Sequence, residues 1–400
     1  MTTRAAETSA PPARTTGDSG PDDTGASGPV RYRRNPDLLL EWQDGAGPVL
    51  VDCRRWRKFT ARPRLLALLD LLDRPLTAEE AHARWAAPDG AAQDSSGTRR
   101  TLEHLADAGL IRATSRPAPV AHGLTPYELA AHARAGQGPA PGTQQGTPPP
   151  ARLSHPEATE TVRLTDADAD ADADADAPPS RPLREVLADR RCVRDFAPVP
   201  LPLDRLGMLL ARAARVRGRL GPHWLQQTRR PSPSGGGRHS IEAYVIAREV
   251  SGLAPGAYHY DPFDHALHRL TPWDDGLAAV LDATVTLPAY MTQPPPASLL
   301  LASHAARTGW KYEGLALSLI YRDTGCLVQT LCLTATDLGL GACPTGTMRP
   351  ADRIPFLAGR HDDLLHVGNL ALGIPGPDGE GGDGEGRGET AEAGRAAGQP

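Results

Sequence analysis

A long helical pattern of apolar residues in the last quarter of the sequence constrains the fold most. From about residue 313 to about residue 338, apolar side chains recur at spacings of three and four, and Gly339 follows as a stop signal. The pattern is apolar on more than one side. We therefore expect a helix that is buried in a core on one side and against a second subunit on another. The recurring positions are Ile320, Thr324, Leu327, Val328, Leu331, Ala335 and Leu338.

Segments of low complexity divide the 400-residue chain into two modules. Residues 1–30, 116–180 and 378–400 are rich in Gly, Pro, Ala and Thr or carry an Asp-Ala repeat, so we expect them to be disordered. The linker 116–180 should be stiffened by proline and extended by repulsion between its aspartates. A small module at 31–115 and a larger one at 181–377 remain.

Charge, cysteine content and hydropathy exclude several classes of protein. The Asp-Ala repeat accounts for the net charge of −5, so neither an acidic nor a basic partner is indicated. Five cysteines form no CxxC pair, which indicates reduced thiols and no zinc site. The histidines of a predicted hairpin, His259, His265 and His268, alternate without a further ligand, so we interpret them as half-buried strand residues. Without a signal peptide or a run of about 18 apolar residues, the expectation is a cytoplasmic protein with no membrane segment.

The small module, 31–115, has the pattern of three short helices and a strand, which resembles a winged helix. Its second helix begins with a capping box, in which Thr77 is the N-cap and Glu80 lies three positions on. The third helix carries Arg99 and Arg100 against two acidic residues, which makes a poor phosphate-binding surface. We therefore expect peptide docking or a structural role rather than nucleic-acid binding.

Two polar segments of the larger module are candidates for binding an anionic, flat ligand. Arg190, Arg191 and Arg194 lie close together in the sequence, and their like charges repel unless an anion or carboxylates neutralise them. The alternative is a solvated basic face paired with the neighbouring aspartates. The second segment, from Ser234 to Gly237, is a hydroxyl- and glycine-rich loop before a strand. Its backbone amides can approach a flat ligand closely.

The stretch TGWKYEG places Trp310, Lys311 and Tyr312 side by side at the start of the long helical pattern. A lysine next to a phenol can hold or move a proton during catalysis. The alternative is that both residues only begin the helix, with their polar ends at the surface. Taken alone, these residues favour the second interpretation.

Taken together, these motifs resemble those of the SagB-type azoline dehydrogenases, which are nitroreductase-like flavoproteins. RRCVRDF is similar to the family's Arg-Arg-Ser-x-Arg-x-Phe motif, PSGGGRHSIEAY to its Pro-Ser-x-Gly loop, and WKYEG to its Lys-Tyr pair. The hairpin GAYHYDP and the Gly-Leu-Gly ending of the long helix also match, in the same order, over 181–375. Cys192 stands where the family has serine, and Cys326 and Thr330 where it often has His and Asn.

The resemblance implies an α+β fold. A nitroreductase-like domain, with a central mixed or antiparallel sheet and surrounding helices, would follow the winged-helix-like module. It also implies that FMN is the cofactor and that Lys311 and Tyr312 carry the chemistry. The residues implied to bind FMN are Arg190, Arg191, Arg194, Ser234, Gly235, Gly236, Gly339 and Gly341.

The activity that the resemblance implies is oxidation of thiazoline or oxazoline rings to thiazole or oxazole in a ribosomally made precursor peptide, as in thiopeptide-like products. The implied partners are that azoline-containing peptide, components of a cyclodehydratase, and a second copy of the chain in a homodimer. Two alternatives stay open. One is an NAD(P)H-dependent reductase of small molecules, and the other is a scaffold without flavin that recruits a peptide.

Overall fold

The computed structural model divides the chain into two compact units. The first comprises Met1–Asp52 and Arg57–Pro126, and the second Cys53–Trp56 and Tyr127–Pro400. The disorder expected for the two ends of the chain concerns residues that lie almost entirely outside the described ones. The described residues are 29–43, 45, 47–85, 95–114, 123–138, 146–165, 180–360 and 362–377.

The described residues of the first unit form three helices and two small antiparallel sheets. Its elements are β1 (Arg31–Arg34), β2 (Leu38–Gln43), β3 (Gly47–Asp52), β4 (Arg57–Thr60), α1 (Pro63–Leu71), β5 (Leu76–Thr77), α2 (Ala78–Arg84), α3 (Ser95–Ala108) and β6 (Ile111–Ala113). One sheet has the order β5-β1-β6 and the other β2-β3-β4. The predicted helices are confirmed, and so is the capping box, in which the Glu80 amide donates to Thr77 Oγ1 at 3.1 Å. The winged-helix-like and peptide-docking interpretations stay predictions.

A seven-stranded antiparallel sheet forms the centre of the second unit. Every residue of β11 is buried, because the sheet is covered on both faces there. Two shorter strand pairs, β8 (Leu201–Pro202) with β12 (Val250–Ser251) and β9 (Gly218–Leu220) with β10 (Gln227–Arg229), lie outside this sheet. The strands of the large sheet, in order across it, are β16 (Gly341–Thr345), β17 (Leu364–Gly373), β15 (Ala297–His304), β11 (Ile241–Ala247), β13 (Gly256–Asp261), β14 (Ala266–Pro272) and β7 (Glu160–Arg163).

Helices surround this sheet, so the predicted α+β fold with a central antiparallel sheet is confirmed. The longest helix, α9, supplies Leu327, Leu331 and Ala335 to the core. None of the described helices is both long and apolar enough to cross a lipid bilayer. The helices are α4 (Pro126–Ala135), α5 (Leu183–Asp189), α6 (Leu203–Ala214), α7 (Asp275–Leu281), α8 (Ala305–Tyr312) and α9 (Ala316–Asp337).

The position predicted for the Lys-Tyr pair, at the start of the long helix, is wrong. Lys311 and Tyr312 end α8, and α9 begins only at Ala316. Gly314, with φ +77°, separates the two helices, because this backbone conformation cannot continue a right-handed helix. The apolar periodicity of the sequence continues across this turn, and only the glycine indicates that the helix is interrupted there.

The interpretation of 116–180 as a disordered linker is wrong for two parts of it. α4 lies within this segment, and β7 extends the large sheet along β14, with Arg163 opposite Ala266. Leu153 and Leu164 are buried in the cores of the second unit. Apolar residues here are too sparse to show a period, and the edge of β14 supplies the hydrogen bonds that order β7. The Asp-Ala repeat lies outside the described residues.

Candidate active site

A buried aspartate of α9 holds the glycine loop, Ser234–Gly237, which precedes β11. The Asp323 carboxylate accepts a hydrogen bond from Ser234 Oγ at 2.6 Å and one from the Gly235 amide at 3.1 Å. Ser234 Oγ in turn accepts the His239 amide at 2.9 Å. Burial raises the pKa of Asp323, although these hydrogen bonds oppose the shift. Asp323 is not among the residues predicted from the sequence. The feature that could have indicated it is a carboxylate within the apolar stripe of a helix.

The Lys-Tyr pair lies against the glycine loop. Gly236 has φ +63°, and a Cβ atom placed on it would lie 2.7 Å from Tyr312 Oη. Lys311 Nζ lies 5.3 Å from the centroid of the Tyr312 ring, at cation–π distance. The structure thus brings together Lys311, Tyr312, Ser234, Gly235 and Gly236 from two distant parts of the chain.

Trp310 forms a wall beside this pair. The buried Arg238 places Cζ 5.1 Å from the centroid of the indole ring, and its Nε donates to Arg307 O at 2.8 Å. Burial lowers the pKa of Arg238, and the charge of Arg307 lowers it further. Trp310 Nε1 donates to Gly146 O at 3.4 Å. The indole therefore lies between a buried cation and a segment that the sequence assigned to the linker.

Arg230 lines a small cavity beside the glycine loop, together with His239, Glu242 and Asp323. The cavity volume of about 20 Å³ is enough for one water molecule. Within the described part of the chain, Nε and Nη2 of Arg230 are buried without a hydrogen-bond partner. Burial lowers the pKa of Arg230 to about 10, while Glu242 opposes the shift. Buried donors without a protein partner fit a water or a polar ligand. Arg230 was not predicted, although it stands just before the glycine loop in the sequence.

The arginine loop, Arg190–Arg194, follows α5 as extended chain and packs on β16. Val193 is buried, and its amide donates to Ala342 O at 3.0 Å. A Cβ atom on Gly341 would lie 2.8 Å from Val193 Cγ1, which explains the glycine at that position. Gly339, with φ +68°, ends α9. Both glycines therefore have a structural role, and their contact with a cofactor stays a prediction.

The cations of the arginine loop have no ionic partner among the described residues. Neither a hydrogen bond nor an ion pair joins the guanidinium groups of Arg190, Arg191 and Arg194 to that part of the chain. Asp189, one of the neighbouring aspartates, pairs with Arg181 instead. Arg194 also lines a surface cavity of about 350 Å³. Three unpaired guanidinium groups on one short segment fit a phosphate group.

A buried ionic network lies beside the Trp310 wall and joins α8 to the sheet. Arg307 pairs with Glu242, and its Nε donates to Pro150 O at 2.7 Å. Glu242 also pairs with His259 Nε2 at 2.9 Å. Burial raises the pKa of Glu242, but the Arg307 charge and the hydrogen bond from His259 outweigh burial and hold it well below its ordinary value. The network holds the segment around Pro150 against α8, because a buried charge requires its partners.

The hairpin histidines are more buried than the sequence indicated. His259 and His265 are buried, and only His268 is half-buried. His265 Nδ1 lies 3.0 Å from Tyr260 Oη, and His268 Nδ1 lies 3.0 Å from Thr161 Oγ1. These polar partners compensate for the loss of water, which a sequence pattern does not reveal. No group of three His, Cys, Asp or Glu residues within the described ranges could hold a metal ion.

Comparisons with known proteins agree with this architecture. Residues 187–367 match the model of the nitroreductase family. MJ1384, named as a nitroreductase of Methanocaldococcus jannaschii, is 30% identical over 168 residues, which cover 41% of this chain and 78% of that protein. The chain belongs to the nitroreductase family. It is a nitroreductase-family flavoprotein, and the family consists of oxidoreductases.

Two further similarities of this nitroreductase-family chain are to a processing protein and to a synthetase complex. The trifolitoxin-processing protein TfxB of Rhizobium leguminosarum bv. trifolii is 30% identical over 149 residues, which cover 36% of this chain and 40% of TfxB. The E. coli microcin synthetase McbBCD complex with truncated pro-MccB17 bound aligns with a TM-score of 0.40 and 16% identity. That alignment covers 56% of this chain and 77% of the other. The chain thus matches less than half of TfxB.

Proposed function

We propose that this protein is an FMN-dependent dehydrogenase that oxidises thiazoline or oxazoline rings to thiazole or oxazole in a ribosomally made precursor peptide. Membership of the nitroreductase family supports a flavin-dependent redox reaction, and the similarity to TfxB supports a peptide substrate. The observation that carries the proposal is the contact of the Tyr312 hydroxyl with Gly236 of the glycine loop, with Lys311 beside it.

The two loops of the site fit the two ends of FMN. Asp323, in the first half of α9, holds the glycine loop, whereas the arginine loop packs on Gly341 of β16, beyond the C-terminal end of α9. A long ligand with a phosphate at one end and a flat ring at the other suits a cationic loop and a glycine loop separated in this way.

We assign the phosphate to Arg190, Arg191 and Arg194, whose guanidinium groups are unpaired within the described residues. The ring is assigned to Ser234, Gly235 and Gly236. Because the Ser234 hydroxyl already bonds Asp323 and the His239 amide, its role is to shape the loop. At Gly236, the missing Cβ leaves room between the loop and Tyr312 that any other residue would fill.

Aromatising an azoline ring removes two hydrogens, one of which leaves as a proton. Bound FMN supplies a two-electron acceptor for the hydride. Tyr312 Oη and Lys311 Nζ are the groups that we propose accept the proton, since a general base must lie within hydrogen-bond reach of the reacting atom. Trp310, held by Arg238, would exclude water and orient the peptide against the pair.

We also propose a homodimer. Leu317 and Tyr321 lie four residues apart at the start of α9, which puts them on one face, and they are 43% and 46% exposed. On α5, Leu183 and Leu187 have the same spacing and are also exposed. A second copy of the chain would cover such apolar pairs. We propose that the first unit docks the precursor peptide or components of a cyclodehydratase.

The test is to mix the FMN-loaded protein with a peptide that carries thiazoline rings, without oxygen. We expect the flavin to bleach and mass spectrometry to record a loss of two hydrogens per ring. Bleaching by NAD(P)H but not by the peptide would contradict the proposal and favour the small-molecule reductase. A colourless protein that binds the peptide without taking up FMN would favour the scaffold.

A further inference from the structure

Three cysteines lie together beside the arginine loop. Cys192 belongs to that loop and is exposed, whereas Cys332 on α9 and Cys343 on β16 are buried. The Val193 amide donates to Ala342 O at 3.0 Å, and Cys192 and Cys343 are the immediate neighbours of these two residues. This backbone pairing places Cys192 and Cys343 next to each other on adjacent segments. One thiol is therefore open to solvent while its neighbour is protected.

The two buried thiols are held in their protonated form. Burial, together with the nearby Cys192 thiol, raises the pKa of Cys343 to about 11 and that of Cys332 to about 11. A buried, protonated thiol reacts poorly with an oxidant in solution. It can still resolve an oxidised sulfur on a neighbouring residue. The exposed Cys192 is thus the entry point for an oxidant, and Cys343 is placed to complete a disulfide.

We propose that Cys192 and Cys343 form a reversible dithiol site, which hydrogen peroxide oxidises to a disulfide. The Cys192 sulfur first attacks a peroxide oxygen, the O–O bond breaks, and a sulfenic acid forms as one water leaves. The Cys343 sulfur then attacks the sulfenic sulfur, the S–O bond breaks, and a second water leaves as the S–S bond forms. The thiols give up two electrons and two protons, and the peroxide takes them up as it becomes water.

The disulfide would fix the arginine loop to β16. Because the Val193 amide already bonds Ala342 O, the arginine loop packs on β16 before oxidation, and the crosslink holds the loop in that arrangement. Ordering a loop before its ligand arrives lowers the cost of binding. This effect rests on the proposed binding of FMN phosphate by the arginine loop. We expect FMN to leave the oxidised protein about 2- to 10-fold more slowly than the reduced protein.

The first experiment maps the disulfide without any flavin activity. The full chain, stripped of flavin, is treated with hydrogen peroxide, alkylated and digested for mass spectrometry. We expect a crosslink between the peptides of Cys192 and Cys343 that dithiothreitol removes. Cys192→Ser and Cys343→Ala should abolish it, and Cys326→Ser, which changes another exposed cysteine, should not. Oxidation of Cys192 without a crosslink, or a bond from Cys192 to Cys332, would overturn the proposal.

The second experiment follows FMN release by fluorescence from the reduced and the peroxide-treated protein. The slower release should disappear in Cys192→Ser, which keeps a hydroxyl where the thiol was. Equal release rates from crosslinked and reduced protein would refute the effect on the arginine loop. If neither form binds FMN, the proposed function fails, while a mapped disulfide still establishes the dithiol site.

Discussion

The glycine loop and the arginine loop differ in how the protein satisfies their polar groups. In the glycine loop, Ser234 and Gly235 are already bonded to Asp323. In the arginine loop, none of the three guanidinium groups has an ionic partner among the described residues. The first loop is therefore preorganised by the protein itself, and the second requires an anion from outside. Substitutions near the glycine loop should therefore change the reaction rate or the stability of the fold. Substitutions in the arginine loop should change the affinity for the ligand.

The largest effect is expected at the glycine loop. Tyr312→Phe should slow flavin reduction by an azoline peptide about 10²–10⁴-fold, because it removes the proposed proton acceptor and keeps the ring's packing. Lys311→Ala should also slow flavin reduction by the peptide. Both variants should bind FMN as the wild type does, since the phosphate is assigned to the other loop. Anaerobic stopped-flow bleaching measures the chemical step separately from product release.

The control for Tyr312→Phe is Tyr290→Phe. Tyr290 is 91% exposed and lies outside the proposed site, so its variant should keep the wild-type rate. If Tyr312→Phe and Lys311→Ala bleached the flavin at the wild-type rate, these two residues would have no catalytic role and would only end a helix. Loss of FMN from either variant would contradict the division of roles, in which the Lys-Tyr pair serves catalysis and the arginine loop retains the cofactor.

The next effect concerns the arginine loop. Arg191→Ala and Arg194→Ala each remove charge-assisted hydrogen bonds worth about 1.5–3 kcal/mol, so FMN affinity should fall about 10- to 150-fold. At saturating FMN, the rate of peptide oxidation should be unchanged. Fluorescence titration measures the affinity. Arg184→Ala is the matched control, because this neighbouring arginine on α5 has a side chain that is 86% exposed and only a 3.6 Å contact to Glu185.

Local patterns predicted those parts of the molecule that local interactions determine. The end of α9 at Gly339, the capping box at Thr77 and the strand after the glycine loop follow from spacing and residue type. The motifs also indicated two segments that the structure brings together, the glycine loop and the Lys-Tyr pair. The roles of Lys311, Tyr312 and the assigned loop residues stay predictions.

Long-range pairs escaped prediction. Arg307 and Glu242 are far apart in the sequence, and only the folded sheet makes each the buried partner of the other. In the segment around Pro150, backbone carbonyls accept hydrogen bonds from Arg307 and Arg238. These distant donors hold the segment in place, so its own composition does not indicate that it is ordered. Asp323 carried a local signal, a charge within an apolar stripe, but its partner loop lies elsewhere in the chain.

A smaller effect is expected for the anchor of the glycine loop. Asp323→Ala leaves the Ser234 hydroxyl and the Gly235 amide without their acceptor, which should lower the free energy of unfolding by about 1–3 kcal/mol. Asp323→Asn keeps one acceptor oxygen and should lose less. Denaturant titration measures both variants. Equal stability of wild type and Asp323→Ala would mean that the loop is not held in this way.

The same residue gives a pH dependence with a defined sign. Burial raises the pKa of Asp323 in the folded chain above the ordinary value of 3.8. Between 3.8 and the raised value, the folded state binds more protons than the unfolded state, so this group's contribution to stability falls as pH rises. The unfolding free energy of wild type relative to Asp323→Asn should therefore decrease through that window. An increase would show that hydrogen bonding to the carboxylate outweighs burial.

The smallest effect tests the contact between Gly236 and Tyr312. Gly236→Ala should lower the free energy of unfolding by about 1–2 kcal/mol, because alanine is strained at φ +63°. Its Cβ would also lie 2.7 Å from Tyr312 Oη and displace the phenol, so peptide oxidation should fall as well. Gly309→Ala on α8 is the control, since its Cβ meets nothing within 4 Å. That variant should be neutral or more stable by up to about 1 kcal/mol.

A double-mutant cycle separates the steric contact from the backbone strain. Removing the hydroxyl in Tyr312→Phe takes away the atom nearest the new Cβ, whereas the φ angle of Gly236 stays the same. Gly236→Ala should therefore cost less stability in the Tyr312→Phe background than in wild type, with a coupling of at least about 0.5 kcal/mol. If the losses in unfolding free energy were additive, backbone strain alone would account for the effect of alanine, and the Tyr312 hydroxyl would make no steric contact with the new Cβ. The glycine loop would then be preorganised by Asp323 without any contribution from Tyr312.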